Sequence, residues 1–206
     1  PVGVAAAALP ESLPVATITP GAGAPVGVGM PVTVTFSQPV VDRARAERTI
    51  EFSSPKMTKA PAGTFAWLAD NKVEFTPTTY WPAHSSIKVS VGGFKQDFET
   101  AAATMGVASI SAHTFTVSID GQVVKTMPAS MGKPKHPTPV GSFTAMSKEN
   151  PVVMDSRTIG IPLSDPEGYK LTVYYAVRVT SGGVYVHSAP WSVAQQGSSN
   201  VSHGCI

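Results

Sequence analysis

The chain contains one cysteine, Cys205, which follows His203 by two residues and His187 by 18. These three side chains are of the types that make and break covalent bonds. A thiol attacks as its thiolate, and a free cysteine with a pKa of about 8.5 is mostly protonated at neutral pH. An imidazole within reach takes that proton and then steadies the anion as a cation. Gly204, between His203 and Cys205, permits a tight or positive-φ turn that presents the sulfur. From Gly168 onward there is no Asp or Glu, and only Lys170 and Arg178 carry charge. A third group that orients the imidazole must therefore be an upstream carboxylate or a backbone carbonyl. Two other readings of the same residues stand beside this one. Most free cysteines are small buried hydrophobes. His187, His203 and Cys205 could also hold zinc, but they lack a fourth ligand and any short C-x₂-C or H-x₃-H pair.

The elements that position these residues read as β-structure. His187 closes residues 184–187, a return strand after Ser181-Gly182-Gly183, whereas Cys205 arrives on a polar segment, residues 191–200, that reads as a flexible loop. Residues 170–179 make the longest strand candidate. Upstream, Phe115, Val117 and Ile119 share one face of residues 113–119, and Asp120-Gly121 predicts a type I′ hairpin into residues 122–127. Residues 131–141 form a Pro-rich loop whose Lys133, Lys135 and His136 read as solvated charge in preference to a carboxylate-binding set. Residues 141–146 and 154–159 read as short extended pieces. Ala101-Ala102-Ala103-Thr104-Met105-Gly106 is a small-residue joint where a domain boundary belongs.

The first half alternates short strands with turns. Val32, Val34 and Phe36 fall on one face, residues 42–48 could make a helical turn, and residues 63–68 and 72–76 flank a hairpin connection at 69–71. Residues 86–91 and 94–98 follow as strands, and five or more strands at this spacing predict an immunoglobulin-like sandwich. Trp67 is the expected core aromatic. Trp81 and His84 line a recognition surface or pack at a domain edge. The acids of this half (Glu47, Glu51, Asp70, Glu74, Asp97, Glu99) appear singly, so nothing in it predicts catalysis.

Composition agrees with this class. In 206 residues only 14% are charged, while Gly and Pro number 18 and 19, which fits β-domains better than helical bundles. A net charge of +2 without a Lys/Arg tract argues against nucleic acid. One cysteine excludes an intrachain disulfide, and no apolar run reaches the 18 residues that read as a membrane span. Residues 1–14 read as a linker left after an export segment or an earlier domain.

Ser202-His203-Gly204-Cys205, with His187-Ser188-Ala189-Pro190-Trp191-Ser192 upstream, resembles the motif of the L,D-transpeptidases of bacterial cell walls. The match is closest to the mycobacterial form, in which immunoglobulin-like modules precede the catalytic domain. It extends through Met154-Asp155-Ser156, Gly168-Tyr169 and Tyr80-Trp81-Pro82-Ala83-His84. The family pattern continues past the cysteine with an apolar residue and Asn or Arg. This chain stops at Ile206, before that position, so its catalytic domain is expected to lack its C-terminal part.

The fold expectation is thus mostly β: a linker at 1–14, an immunoglobulin-like domain at 15–101 and an L,D-transpeptidase-type β-sandwich at 102–206. The resemblance implies Cys205 as nucleophile, His187 as base and the Ser188 carbonyl as the group fixing its tautomer. It implies that His203, Gly204 and Cys205 bind an oxyanion through backbone N–H groups, with Met154, Tyr169 and Trp191 shaping the cleft or simply packing. No metal or cofactor is implied. The implied substrates are peptidoglycan stem peptides, donor and acceptor, joined as 3→3 cross-links through a thioester, with carbapenems as acylating inhibitors. Export to the periplasm or cell wall and a membrane anchor upstream of this chain are further implications. A depressed thiol pKa is expected of such an enzyme. A stem-peptide hydrolase and a non-catalytic wall-binding module remain as alternatives.

Overall fold

The computed structural model describes residues 13–206, so the segment expected as a linker lies almost wholly outside the described residues. The chain divides into two compact units, Pro1–Thr104 and Met105–Ile206. Among the described residues no helix is long and apolar enough to cross a membrane.

The first unit is built from strict alternation. Strands β1 (Val15–Thr19), β2 (Val32–Phe36), β5 (Lys72–Pro77) and β4 (Gly63–Ala69) form one sheet in that spatial order. Strands β3 (Ile50–Ser53), β6 (Ser86–Val91) and β7 (Phe94–Glu99) form the other. All neighbouring pairs are antiparallel. Val32, Val34, Phe36, Val73 and Phe75 from the first sheet and Ile50, Phe52, Ile87, Val89, Val91 and Phe98 from the second belong to one buried cluster. The period of two along each strand turns these residues inward and their polar neighbours out. The short helix α1 (Arg43–Arg48) starts where Asp42 accepts a hydrogen bond from the Arg45 N–H, an N-cap contact.

The core aromatic is Trp81, not Trp67 as the sequence suggested. Trp81 is 2% exposed, and its ring lies 5.1 Å from Phe52, 5.7 Å from Phe98 and 6.0 Å from Phe75. Its indole N–H donates to the Met30 carbonyl at 2.7 Å, so the one polar atom is satisfied inside the core. An aromatic burying roughly 200 Å² stabilises by at most about 5 kcal/mol on area grounds. Trp67 sits on β4, the edge of its sheet, and is only partly buried. Its N–H donates to Glu47 and its face is covered by the Arg43 guanidinium.

The second unit has three small sheets. Strands β10 (Gln122–Pro128), β9 (Thr114–Ile119) and β8 (Thr104–Ser109) form one; β11 (Ser147–Glu149), β14 (Ala176–Arg178) and β15 (Tyr185–Val186) form another; β12 (Val152–Asp155) and β13 (Lys170–Val173) pair alone. The β9–β10 hairpin turns at Asp120 and Gly121, whose φ values of 49° and 80° are those of the expected type I′ turn.

Three sequence expectations fail in this unit. The long strand at 170–179 is broken into β13 and β14, which belong to different sheets. At the break Tyr175 takes φ 53° and its N–H donates to the Asn150 side chain; a large side chain at positive φ cannot continue an extended run. Residues 154–159 are extended only to Asp155, after which residues Ser156–Ile159 form a 3₁₀ turn capped by Asp155 and ended by Gly160 at φ 81°. Residues 141–146 form no strand, which begins instead at Ser147.

Candidate active site

Cys205 and His187 are brought together by main-chain pairing. The Ile206 N–H donates to the Tyr185 carbonyl at 2.8 Å, and the His187 N–H donates to the Ile206 carbonyl at 3.0 Å. This is the hydrogen-bond pattern of a parallel strand laid against β15. Upstream, Ser202 pairs in parallel with Gly132: the Ser202 N–H donates to the Met131 carbonyl and the Lys133 N–H to the Ser202 carbonyl, each at 3.0 Å. The segment 202–206 is therefore tied at both ends.

The polar stretch before it is more ordered than its composition suggested. Pro190–Ser192 form a 3₁₀ turn, and successive turns run on through N–H bonds from Gln195 to Ser192 and from Ser198 and Ser199 to Gln195. Asn200 then anchors the chain, accepting from the Met131 N–H at 2.9 Å, contacting His113 Nδ1 at 3.0 Å and donating to the Ile110 carbonyl at 3.0 Å.

Inside the motif, the Ser202 hydroxyl donates to the Cys205 carbonyl at 2.6 Å and accepts from the Gly204 N–H at 3.1 Å. That second bond revises one expectation. The Gly204 N–H is engaged within the turn and is not free for the oxyanion role that the resemblance implied. Gly204 contributes its conformation instead, with φ at 120°, a region that a side chain at this position disfavours.

The His187 imidazole places Nδ1 2.8 Å from the Ser188 carbonyl oxygen. A carbonyl only accepts, so Nδ1 carries the proton and Nε2 keeps its lone pair. Burial holds the His187 pKa below its ordinary value, and the bond to Ser188 offsets this in part. The ring stacks on Trp191 at 6.0 Å between centroids.

Cys205 is partly buried against Val173, Ala176 and Tyr185. Its sulfur lies 3.8 Å from the Gly183 carbonyl, and no hydrogen bond joins it to His187 in this state. Burial pushes the thiol pKa up, with the Tyr185 N–H acting the other way. Burial thus acts against the depressed value expected from the sequence.

Both residues face a cleft of about 1070 Å³ that Ser188, His203, Met154, Tyr169 and Trp191 also line. All the site residues expected from sequence meet there except Gly204, which stands behind the wall. Tyr169 is held by Ser156, which is fully buried: the Tyr169 carbonyl accepts from the Ser156 N–H and the Tyr169 N–H donates to the Ser156 hydroxyl. Gly168 is obligatory beside it, since a Cβ there would stand 2.4 Å from the Pro162 carbonyl.

Lys133 and His136 are largely withdrawn from solvent, while the Lys135 side chain stays exposed. Lys133, Lys135 and His136 converge on Glu167, with contacts of 2.7, 3.1 and 3.2 Å, and His203 Nε2 lies 3.9 Å from the same carboxylate. The Lys133 and Lys135 ammonium groups hold the Glu167 carboxyl far below its ordinary 4.5, at about 2. Burial, then Lys133 and His136, hold the His203 pKa down. Among the described residues, the ligand-type atoms that cluster are those of His136, Glu167 and His203, not the His187–His203–Cys205 set considered for zinc. The carboxylate in that cluster is already bound by two lysines.

Glu167 predicts a pH effect on stability. Its folded value is depressed, so its contribution is present above about pH 4.5 and is lost as pH falls through about 2. Thermal midpoints measured from pH 7 to pH 2 should show Glu167→Gln below wild type at neutral pH and converging with it in acid. Parallel curves would show that the ion cluster contributes nothing.

Neither Glu167 nor Asn200 was singled out from sequence. Glu167 did leave one trace: it is the last carboxylate before the acid-free stretch.

A partly buried thiol and a carbonyl-oriented imidazole thus line one cleft of a small β-domain. A model of the bacterial Ig domain matches residues 6–93, and a model of the L,D-transpeptidase catalytic domain matches residues 103–206. The chain is 59% identical to L,D-transpeptidase 1 of Mycobacterium tuberculosis, over its whole length and 82% of that protein. It is similar to a solved L,D-transpeptidase from Mycobacterium smegmatis, with a TM-score of 0.86 and 64% identity over 93% of this chain and 87% of that one. A solved L,D-transpeptidase in complex with imipenem matches with a TM-score of 0.82 and 59% identity over 93% of this chain and 88% of that one. The chain belongs to the L,D-transpeptidase family.

Proposed function

We propose that the protein is an acyltransferase that forms 3→3 peptidoglycan cross-links through a thioester on Cys205. The observation that carries this is the His187 Nδ1–Ser188 carbonyl bond, which leaves Nε2 as the free base in the cleft that Cys205 enters. In the first half-reaction the thiol proton passes to His187 Nε2 as sulfur attacks the carbonyl of the donor's third stem residue. The carbonyl electron pair moves to oxygen, met by backbone N–H groups of His203 and Cys205. Collapse expels the terminal residue's amine, which takes the proton from His187. An amine of a second stem then attacks the thioester by the same steps. The sulfur must leave the Gly183 carbonyl for this, and catalytic hydrogen bonds commonly tighten only once substrate is in place.

Met154, Tyr169 and Trp191 form apolar walls on which a stem peptide can lie. Carbapenem-type β-lactams acylate the same sulfur, a reading supported by the imipenem complex of the relative. Residues 15–101 serve as a spacer or wall-binding module ahead of a catalytic domain at 102–206. The site of action is the exported cell-wall compartment, with any anchor upstream of this chain.

The test is product analysis with a stem tetrapeptide, with and without a second stem as amine acceptor. Cross-linked dimer in the presence of acceptor is expected. Tripeptide alone under both conditions would make the protein a hydrolase.

A further inference from the structure

We propose that Thr138 is a positioning residue for acyl transfer, fixing the Gly204–Cys205 peptide so that the Cys205 N–H serves as an oxyanion donor. The inference rests on Cys205 being the nucleophile. Thr138 lies in the Pro-rich loop and is 7% exposed. Its hydroxyl donates to the Gly204 carbonyl at 2.8 Å and accepts from the Gly132 N–H at 2.8 Å. Its one proton and one of its lone pairs are thus both committed, which leaves a single orientation for the hydroxyl.

In a trans peptide the carbonyl and the following N–H point in opposite directions. Thr138 stands behind the motif and is not part of the cleft wall, whereas Cys205 is. Holding the Gly204 carbonyl toward Thr138 therefore turns the Cys205 N–H away from it. That N–H has no hydrogen-bond partner among the described residues, while the Gly204 N–H is held by Ser202. The free donor is the one whose peptide Thr138 clamps.

The clamp itself is stiff. Gly132 cannot carry a side chain, because a Cβ would stand 2.2 Å from the His136 carbonyl and 2.5 Å from the Thr138 nitrogen. The turn that delivers Thr138 to the motif is consequently closed on itself, and the Gly132–Ser202 pairing fixes it to the same segment.

Two reactions of the same sulfur separate this role from a merely structural one. Opening of a carbapenem ring forms a C–S bond, sends the carbonyl electron pair to oxygen and breaks the ring C–N bond, whose nitrogen takes a proton. It needs an oxyanion donor. Alkylation by iodoacetamide forms a C–S bond at a saturated carbon and expels iodide, with no oxyanion at any point. Thr138→Val should slow carbapenem acylation by about 10- to 100-fold, less than deletion of a donor, and leave alkylation at the wild-type rate. Thr138→Ser restores the hydroxyl and should restore acylation. Equal slowing of both reactions by Thr138→Val, unchanged acylation in it, or slow acylation with normal alkylation in Thr138→Ser would each overturn the assignment. A wild-type protein that is alkylated but takes no carbapenem would instead sink the acyl-transfer reading, and this inference with it.

Discussion

Replacing Cys205 by alanine should abolish acylation. Incubated with a carbapenem, the wild-type protein is expected to gain one adduct by intact mass, and the Cys205→Ala protein none. Cross-linked product should fall to background in the same variant. The loss is chemical and not structural, because Cys205 is only partly buried and its sulfur makes only weak polar contacts, among them one of 3.8 Å with the Gly183 carbonyl. Removing it should cost about 1 kcal/mol, a common value for a single substitution, and lower the thermal midpoint by only a few degrees. Cys205→Ser is expected to be as inactive, since burial already pushes the thiol pKa up and a hydroxyl in the same place is a far weaker acid. An adduct that survives in Cys205→Ala would place the nucleophile elsewhere and end the proposal.

His187→Ala should have the second largest effect, a fall in acylation of about 10²- to 10⁴-fold at neutral pH, the range for loss of a general base. Its signature is the shape of the pH profile. Burial lowers the His187 pKa beneath its ordinary 6.5, so the imidazole stays neutral, and able to accept a proton, to below that pH. The wild-type rate should therefore rise through an acid limb below pH 6.5 and then level off. Without the imidazole, attack depends on spontaneous ionisation of a thiol whose pKa is raised. The His187→Ala rate should then climb about tenfold per pH unit through the neutral range, following the thiolate fraction. Stopped-flow acylation from about pH 5 to pH 9 distinguishes the two. A variant profile with the wild-type shape would remove His187 from the base role.

The chemistry of the site was more legible in the sequence than its scaffolding. Cys205 and His187 stand out through residue type and spacing, whereas the lack of acids downstream left an upstream carboxylate and a backbone carbonyl both open, and only the resemblance pointed to Ser188. Strands with clean alternation, such as Val32–Phe36, were legible for a similar reason: one buried face writes a period of two. Thr138 and Glu167 were not, because their work is done across loops. The bond from Thr138 to Gly204 spans 66 residues, and no local pattern encodes such a contact. Trp67 and Trp81 show the same limit within the core. Trp67 sits in an alternating strand and looks internal, but β4 is a sheet edge. Trp81 sits in a connection and looks peripheral, but the connection folds over the aromatic cluster. The break at Tyr174–Tyr175 was hidden because its residues favour strands, and tertiary pairing overrode that preference.

The pairing of Ile206 with Tyr185 and His187 has a consequence for how the protein tolerates change. The Cys205 thiol and the His187 imidazole hang from the same rail, since Ile206 is bonded to Tyr185 in β15 and to His187 just after it. Two side chains on the other walls of the cleft belong to other segments, Met154 to β12 and Tyr169 to the stretch just before β13. Substitutions on those walls can therefore retune which molecules fit without detuning the reactive pair. A lineage of such enzymes can drift in appetite while its chemistry stays in register.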